Sequence, residues 1–260
     1  MGTGSAGVPH GKSLTVVVPA YNEELRIGAT LGRILGYLGG RGATFEVLVV
    51  DDGSRDGTRA LVEGLSASEP RLRLIALGEN RGKGMAVRRG VLEATGDWIL
   101  FSDADLSAPI EEVEKLAAAL GNGSAIAIGS RSARGARIGV HQPWYRELMG
   151  KTFNLLVRLL AIRGIVDTQC GFKCFTRESA RAIFSRTRID RFAFDVEALV
   201  VARRLGFSIA EVPIEWSNEP NSRVGVLRDS TRMLFDLVRI RWNALTGAYD
   251  AGTDSARPVR

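Results

Sequence analysis

Five apolar runs rich in β-forming residues recur along the first half of the chain: Leu14 to Val18, Phe45 to Val50, Leu72 to Leu77, Trp98 to Ser102 and Ala125 to Gly129. Helix-like stretches separate them. Continuous apolar strands alternating with helices favour a mostly parallel sheet covered on both faces, with ligands bound at the carboxyl ends of the strands. The polar motifs fall at those ends: Pro19-Ala-Tyr-Asn-Glu23 after the first run, Asp51-Asp-Gly-Ser-Arg-Asp-Gly-Thr58 after the second, Asp103-Ala-Asp105 after the fourth. A chain of 260 residues with 45% hydrophobic content can bury one sizeable core. The expectation is an α/β chain with a single catalytic domain over 14–220. A disordered leader over 1–13 precedes it, and a C-terminal helix with a polar tail over 221–260 follows.

Composition narrows the function. The formal net charge is +6, and arginine far outnumbers lysine. That balance suits phosphate-rich ligands or an anionic membrane surface. No basic block with interleaved aromatics and no nucleic-acid-binding signature is present, so nucleic acid is not an expected partner. The leader lacks the charged and apolar regions of a signal peptide. Its Gly11-Lys12-Ser13 has Ala6 where a phosphate loop needs its first glycine, and it precedes a strand instead of following one. Cys170 and Cys174 are too few for a disulfide framework and lack the histidines of a zinc site, so packing in a reducing compartment is expected. The longest apolar stretch, around Leu155 to Ile162, is interrupted by Arg158 and falls short of the ~20 residues of a spanning helix.

Asp103 and Asp105 carry the strongest chemical signal. Residues two apart on a strand point to the same face. Hard divalent cations take a few carboxylate oxygens and complete their shell with water and substrate phosphates. The pair therefore points to a phosphate-bearing ligand held through Mg²⁺ or Mn²⁺; helix capping or turn solvation is the competing role. A dinucleotide site would need G-x-G-x-x-G after the first strand, and Pro19-Ala-Tyr-Asn-Glu23 is not that, which argues against hydride transfer.

Seven motifs occur in order: Val18-Pro-Ala-Tyr-Asn-Glu23, Val50-Asp-Asp-Gly-Ser54, Asn80-Arg-Gly-Lys-Gly84, Asp103-Ala-Asp105, Gly129-Ser-Arg131, Asp167-Thr-Gln-Cys-Gly-Phe-Lys173 and Phe194-Asp-Val-Glu197. Together they resemble the family 2 glycosyltransferases of GT-A fold, and within them the dolichyl- or polyprenyl-phosphate hexosyltransferases. The resemblance implies that Pro19, Tyr21, Glu23 and Asp52 line the base and ribose pocket and that Lys83 reaches the nucleotide. It implies that Asp103 and Asp105 hold the metal against the diphosphate. On the acceptor side it implies Arg131 and Arg146 as holders of the lipid phosphate, with Asp167 and Gln169 closing the sugar pocket. For Asp52 and Ser54, helix capping is a role that can coexist with ligand binding.

Asp195 resembles the base of many family 2 enzymes, but Phe194 stands where a Glu-Asp motif has its Glu. A hydroxyl or amine acceptor needs a base, whereas a phosphate is already an anionic nucleophile, so the departure leans toward phosphate. Glu197, one helix-face step on, is the alternative base, and both acids also suit the first turn of a helix. His141 reads as a loop residue.

The implied reaction is inverting, metal-dependent transfer of a glucose- or N-acetylhexosamine-type hexose from a UDP-sugar to polyprenyl phosphate. Its expected place is cytoplasmic, peripheral on the inner face of a membrane. Two alternatives stand beside it: the same chemistry on a soluble or carrier-tethered acceptor, and a noncatalytic nucleotide-sugar or nucleic-acid binder. The oligomeric state is left open.

The rest of the second half is less regular. The pattern predicts helices near Arg146 to Ile162 and Phe194 to Leu205, a turn-rich Asp167 to Phe175, and a short strand near Ile209 to Ile214. A last helix, Asp229 to Leu245, places Met233, Leu234, Leu237, Val238, Trp242 and Leu245 along one stripe, with Arg232, Arg239 and Arg241 outside it or at its edge. That stripe fits either docking on the domain or an interfacial helix on anionic lipid with Trp242 at the boundary.

Overall fold

The computed structural model describes residues 11–140, 150, 152–158, 161–218 and 226–250. Most of the expected leader, the tail from 251, His141 and Arg146 lie outside the described residues. The first half follows the predicted alternation. In order come β1 (Ser13–Ala20), α1 (Ile27–Gly40), β2 (Thr44–Asp51), α2 (Thr58–Ser68), β3 (Leu72–Ala76), α3 (Lys83–Glu93), β4 (Trp98–Ser102), α4 (Val113–Gly121) and β5 (Ile126–Ser130). A short β6 (Arg137–Ile138) and α5 (152–158) lead to β7 (Phe172–Thr176), α6 (Arg177–Phe184), α7 (Phe194–Arg204), β8 (Ile209–Pro213), β9 (Glu215–Trp216) and α8 (Val226–Leu245).

Among the described residues, seven strands form one sheet in the order β3-β2-β1-β4-β7-β5-β8, and β6 pairs with β9 in a small parallel ribbon. Only β7 runs against its neighbours in the large sheet, antiparallel to both β4 and β5. The sheet separates two cores. Val16 and Val18 face one with Leu31, Leu116 and Phe172, while Val17, Phe101 and Ile128 face the other with Val87, Phe184 and Leu199. Residues alternating along a strand supply both faces, which is why these runs are apolar without a polar period.

β7 corrects the expected turn-rich segment. Phe172 pairs with Ser102 and Lys173 with Phe101, so a lysine sits in the middle of the sheet. Lys173 makes the run look half-solvated in sequence, yet it is 1% exposed, because Asp195 on α7 neutralises it. The reversed strand has a functional consequence. Its amino end, and the loop Asp167 to Gly171 before it, reach the same sheet edge as the carboxyl ends of β1, β2, β4 and β5.

α8 corrects the single apolar stripe. Met233, Leu237, Ile240 and Ala244 pack inward, while Leu234, Val238, Trp242 and Leu245 are exposed together with Phe235.

Candidate active site

The carboxyl edge of the sheet opens into a cleft of about 240 Å³ lined by Pro19, Tyr21, Glu23, Asp52, Lys83, Asp103 and Asp105. Every donor-side residue expected from the sequence is therefore brought together. Asn80 of the Asn80–Gly84 motif shares the walls, as do Arg26, Arg191 and Phe192, which sequence reasoning missed. Arg26 pairs with Glu23 three residues earlier, a helix-start spacing that was legible. Arg191 and Phe192 belong to a loop before α7 whose only signal was its position.

Asp52 lines the cleft as expected, and its carboxylate also binds the neighbouring loop. Its Oδ1 accepts the Arg81 amide at 2.7 Å and its Oδ2 the Gly82 amide at 2.9 Å. The carboxylate thus fixes the 80–84 loop, and it does not cap α2, whose N-cap is Gly57. Burial raises the Asp52 carboxyl, against the pull of those amides. Gly82 is required in this loop: its φ is +109°, and a Cβ would run into the Asp190 carbonyl. The loop delivers Lys83 as the first residue of α3.

Lys83 Nζ lies 2.6 Å from Asp103 Oδ1, and both side chains keep about a quarter of their surface open, 27% and 29%. Burial alone would lower the lysine, but the charges of Asp103 and Asp195 outweigh it and raise its pKa. Burial raises Asp103, with Asp105 and Asp195 adding to it against Lys83. The Asp103 Oδ1 accepts no well-directed hydrogen bond. Asp105 turns one oxygen to the Ser107 amide at 3.0 Å. Two adjacent carboxylates lining the cleft, one met by the Lys83 ammonium and the other by the Ser107 amide, fit a divalent cation that draws the rest of its shell from substrate phosphate and water. Gly171 makes room for this arrangement, since a Cβ there would fall on the Asp103 carboxylate.

The acceptor-side residues are arranged differently. Arg131 donates from Nε and Nη2 to the two oxygens of Asp167 at 2.7 and 2.8 Å, and its guanidinium lies over Trp216 at 5.4 Å. The fork expected to grasp a lipid phosphate is therefore spent on Asp167, which is 1% exposed. Burial would raise Asp167, yet Arg131 holds it below the ordinary carboxylate range. Gln169 donates its backbone N–H to Asp167 Oδ1 at 3.3 Å.

Asp195 lies beneath the cleft, 2.5 Å from Lys173 Nζ, whose ammonium also donates to the Cys170 carbonyl. Glu197 is not brought to the cleft. It is fully buried and accepts the amides of Arg188 and Ile189 and the hydroxyl of Tyr249. A residue two after Asp195 on a helix points away from it, so the expectation of Glu197 as a base is corrected to a clamp on the 188–189 loop. Cys170 and Cys174 are buried, and burial pushes both thiols up to about 12, as packing residues require.

The model of the family described as "Glycosyl transferase family 2" matches residues 15–184. This chain is a family 2 glycosyltransferase. The glycosyltransferase is 40% identical over 251 residues to the human dolichyl-phosphate beta-glucosyltransferase, covering 92% of this chain and 78% of that one. The Saccharomyces cerevisiae protein of the same name is 36% identical over 254 residues, covering 91% and 76%. Its fold is GT-A. Mannosyl-3-phosphoglycerate synthase from Rubrobacter xylanophilus superposes with a TM-score of 0.68 at 23% identity, covering 92% of this chain and 76% of that one. Glucosyl-3-phosphoglycerate synthase from Mycobacterium tuberculosis, solved with Mn²⁺ and UDP-glucose, gives 0.66 at 21%, covering 90% and 80%.

Proposed function

We propose that this glycosyltransferase moves glucose from UDP-glucose to the phosphate of a polyprenyl lipid, inverting the anomeric carbon, with Mg²⁺ or Mn²⁺ held by Asp103 and Asp105. The observation that carries the acceptor is the engagement of Asp195. A hydroxyl nucleophile must lose a proton to a base, whereas a phosphate oxygen arrives anionic. Asp195 is 5% exposed and tied to the Lys173 ammonium, which suits a reaction that needs no proton removed. The names of the relatives support glucose and a lipid phosphate, and "beta" fits inversion of an α-linked donor. The Mn²⁺ and UDP-glucose of the mycobacterial structure support the donor and metal class.

In this reading the acceptor phosphate oxygen attacks C1 of glucose. The bond from C1 to the diphosphate oxygen breaks, and its electron pair leaves with UDP. The cation, when bound, neutralises charge developing on the departing diphosphate. Lys83 adds a fixed positive charge at the same carboxylate, and the 80–84 loop clamped by Asp52 orients it. Arg131 keeps Nη1 for the acceptor and is aligned by Asp167, with Gln169 beside it. A lipid acceptor places the working position at a bilayer surface, which the cytoplasmic, peripheral location would meet. Among the described residues, no helix is long and apolar enough to cross a membrane.

The test is incubation with UDP-glucose, Mn²⁺ and a short-chain polyprenyl phosphate, with the product resolved by mass and its anomer by NMR. A β-glucosyl phosphate is expected. Transfer confined to soluble hydroxyl acceptors would replace this reading with the soluble-acceptor enzyme.

A further inference from the structure

A second concavity, of about 660 Å³, lies at the other end of α7 from the cleft. Asp195 opens that helix and Arg203 and Arg204 close it, so roughly 13 Å of helix at 1.5 Å per residue separates the two sites. Five arginines line the concavity: Arg158, Arg163, Arg203, Arg204 and Arg241. Its floor is apolar, built from Ile162, Val200, Ile240 and Ala244. Among the described residues, only Arg204 has a carboxylate partner, Asp250 at 2.8 Å. Among the described residues the other four have no carboxylate within ion-pair distance, and like charges gathered this way repel one another, so the groove is complementary to an anion.

The groove adjoins a face of α8 that is exposed among the described residues. At 100° per residue, Met233, Leu237, Ile240 and Ala244 fall on one arc and face the core. Arg241 comes next at the groove, then Leu234, Leu245, Val238, Trp242 and Phe235 in an unbroken apolar arc, then Arg239. These five apolar residues are 42 to 77% exposed, with Trp242 at 66%. An exposed apolar arc edged by arginines and containing a tryptophan matches a helix lying in a bilayer interface with anionic headgroups.

We propose that the outer face of α8 and the five-arginine groove seat the protein on an anionic bilayer, a phospholipid phosphate occupying the groove and the Phe235–Trp242 face entering the headgroup boundary. The proposal rests on the lipid-acceptor reading for its purpose but on separate residues for its chemistry. The apolar floor accommodates the glycerol and first acyl carbons, which a free anion lacks.

The test is vesicle flotation of the full chain with phosphatidylcholine alone and with phosphatidylcholine mixed with phosphatidylglycerol. Glucosyl transfer to a short-chain, water-soluble polyprenyl phosphate is measured in parallel. Binding is expected only to the mixed vesicles. Arg203→Glu with Arg241→Glu should weaken it at least roughly thirtyfold, since each basic residue at an anionic surface contributes about fivefold. Phe235→Ser with Trp242→Ser should weaken it at least about tenfold, and both variants should keep wild-type transfer to the soluble acceptor. Unchanged flotation in both double variants overturns the proposal. So does calorimetry in which inorganic phosphate fills the groove, with loss in Arg203→Glu/Arg241→Glu, while mixed vesicles do not bind the wild type: the site would then serve a free anion. Loss of soluble transfer in the wild type, with vesicle binding intact, would remove the acceptor reading and leave the seat in place.

Discussion

The residues expected on the donor side and those expected on the acceptor side use charge in opposite ways. On the donor side, Lys83 and Asp103 meet each other and still face open space. On the acceptor side, Lys173 meets Asp195 and Arg131 meets Asp167, with both acids withdrawn from solvent. Similar motif residues thus divide into groups that can meet a ligand and groups that hold other groups in place. A buried carboxylate close to a cation is costly to leave alone, so the acceptor-side acids are structural first. The donor-side acids sit where a metal and a diphosphate would supply the missing partners.

Breaking a buried pair should produce the largest effect. Lys173→Met leaves Asp195 uncompensated in the core and should cost about 3 to 5 kcal/mol, read as a fall in urea midpoint at constant slope. Lys173→Met with Asp195→Leu should recover much of that loss, because two apolar groups need no partner. If the single variant is as stable as the wild type, the pair is not the structural element described.

On the donor side the order reverses, and activity should suffer without stability. If Asp103 holds the proposed cation, Asp103→Ala removes several kcal/mol of charge stabilisation, so transfer should fall at least about 10²-fold. Its thermal midpoint should hold, since Lys83, which loses this partner, keeps about a quarter of its side chain open to water, unlike the buried Lys173. Chelation of the wild type should reproduce the rate loss. Wild-type turnover by Asp103→Ala under chelation would erase the contrast between the two sides.

Glu197→Gln should have the smallest effect. It keeps the shape but weakens three hydrogen bonds to a charged acceptor, for a loss of about 1 to 3 kcal/mol in stability. Its kcat/KM at a temperature where it is folded should match the wild type. A large rate loss would return Glu197 to the chemistry.

Much of this division was legible in the residues, though not evenly. β1 to β5 were readable because strands buried on both faces are apolar throughout, and the motifs after them had only one edge to go to. The donor cleft followed from that placement. β7 was not readable, because a buried lysine resembles a solvated one until Asp195 is brought across from α7. Asp52 was placed in the right wall, but its hydrogen bonds to Arg81 and Gly82 depend on a loop contact spanning 29 residues that no local pattern carries. Arg131 was singled out for its planar fork, and the structure gives that fork to Asp167, a partner 36 residues away. α8 looked like one stripe because a wide apolar face has no internal boundary; only packing against the core separates Leu237 from Val238.

The central claim, that the acceptor side positions and does not remove a proton, is tested most directly by single-turnover glucosyl transfer to polyprenyl phosphate with Asp195→Asn across the pH range. The chemical step is expected to stay within about tenfold of wild type, with no limb lost from its pH profile, while the thermal midpoint falls because Lys173 is left unpaired. A loss of about 10²-fold or more in that step, with the midpoint unchanged and a limb gone from the profile, would contradict it and make Asp195 the base.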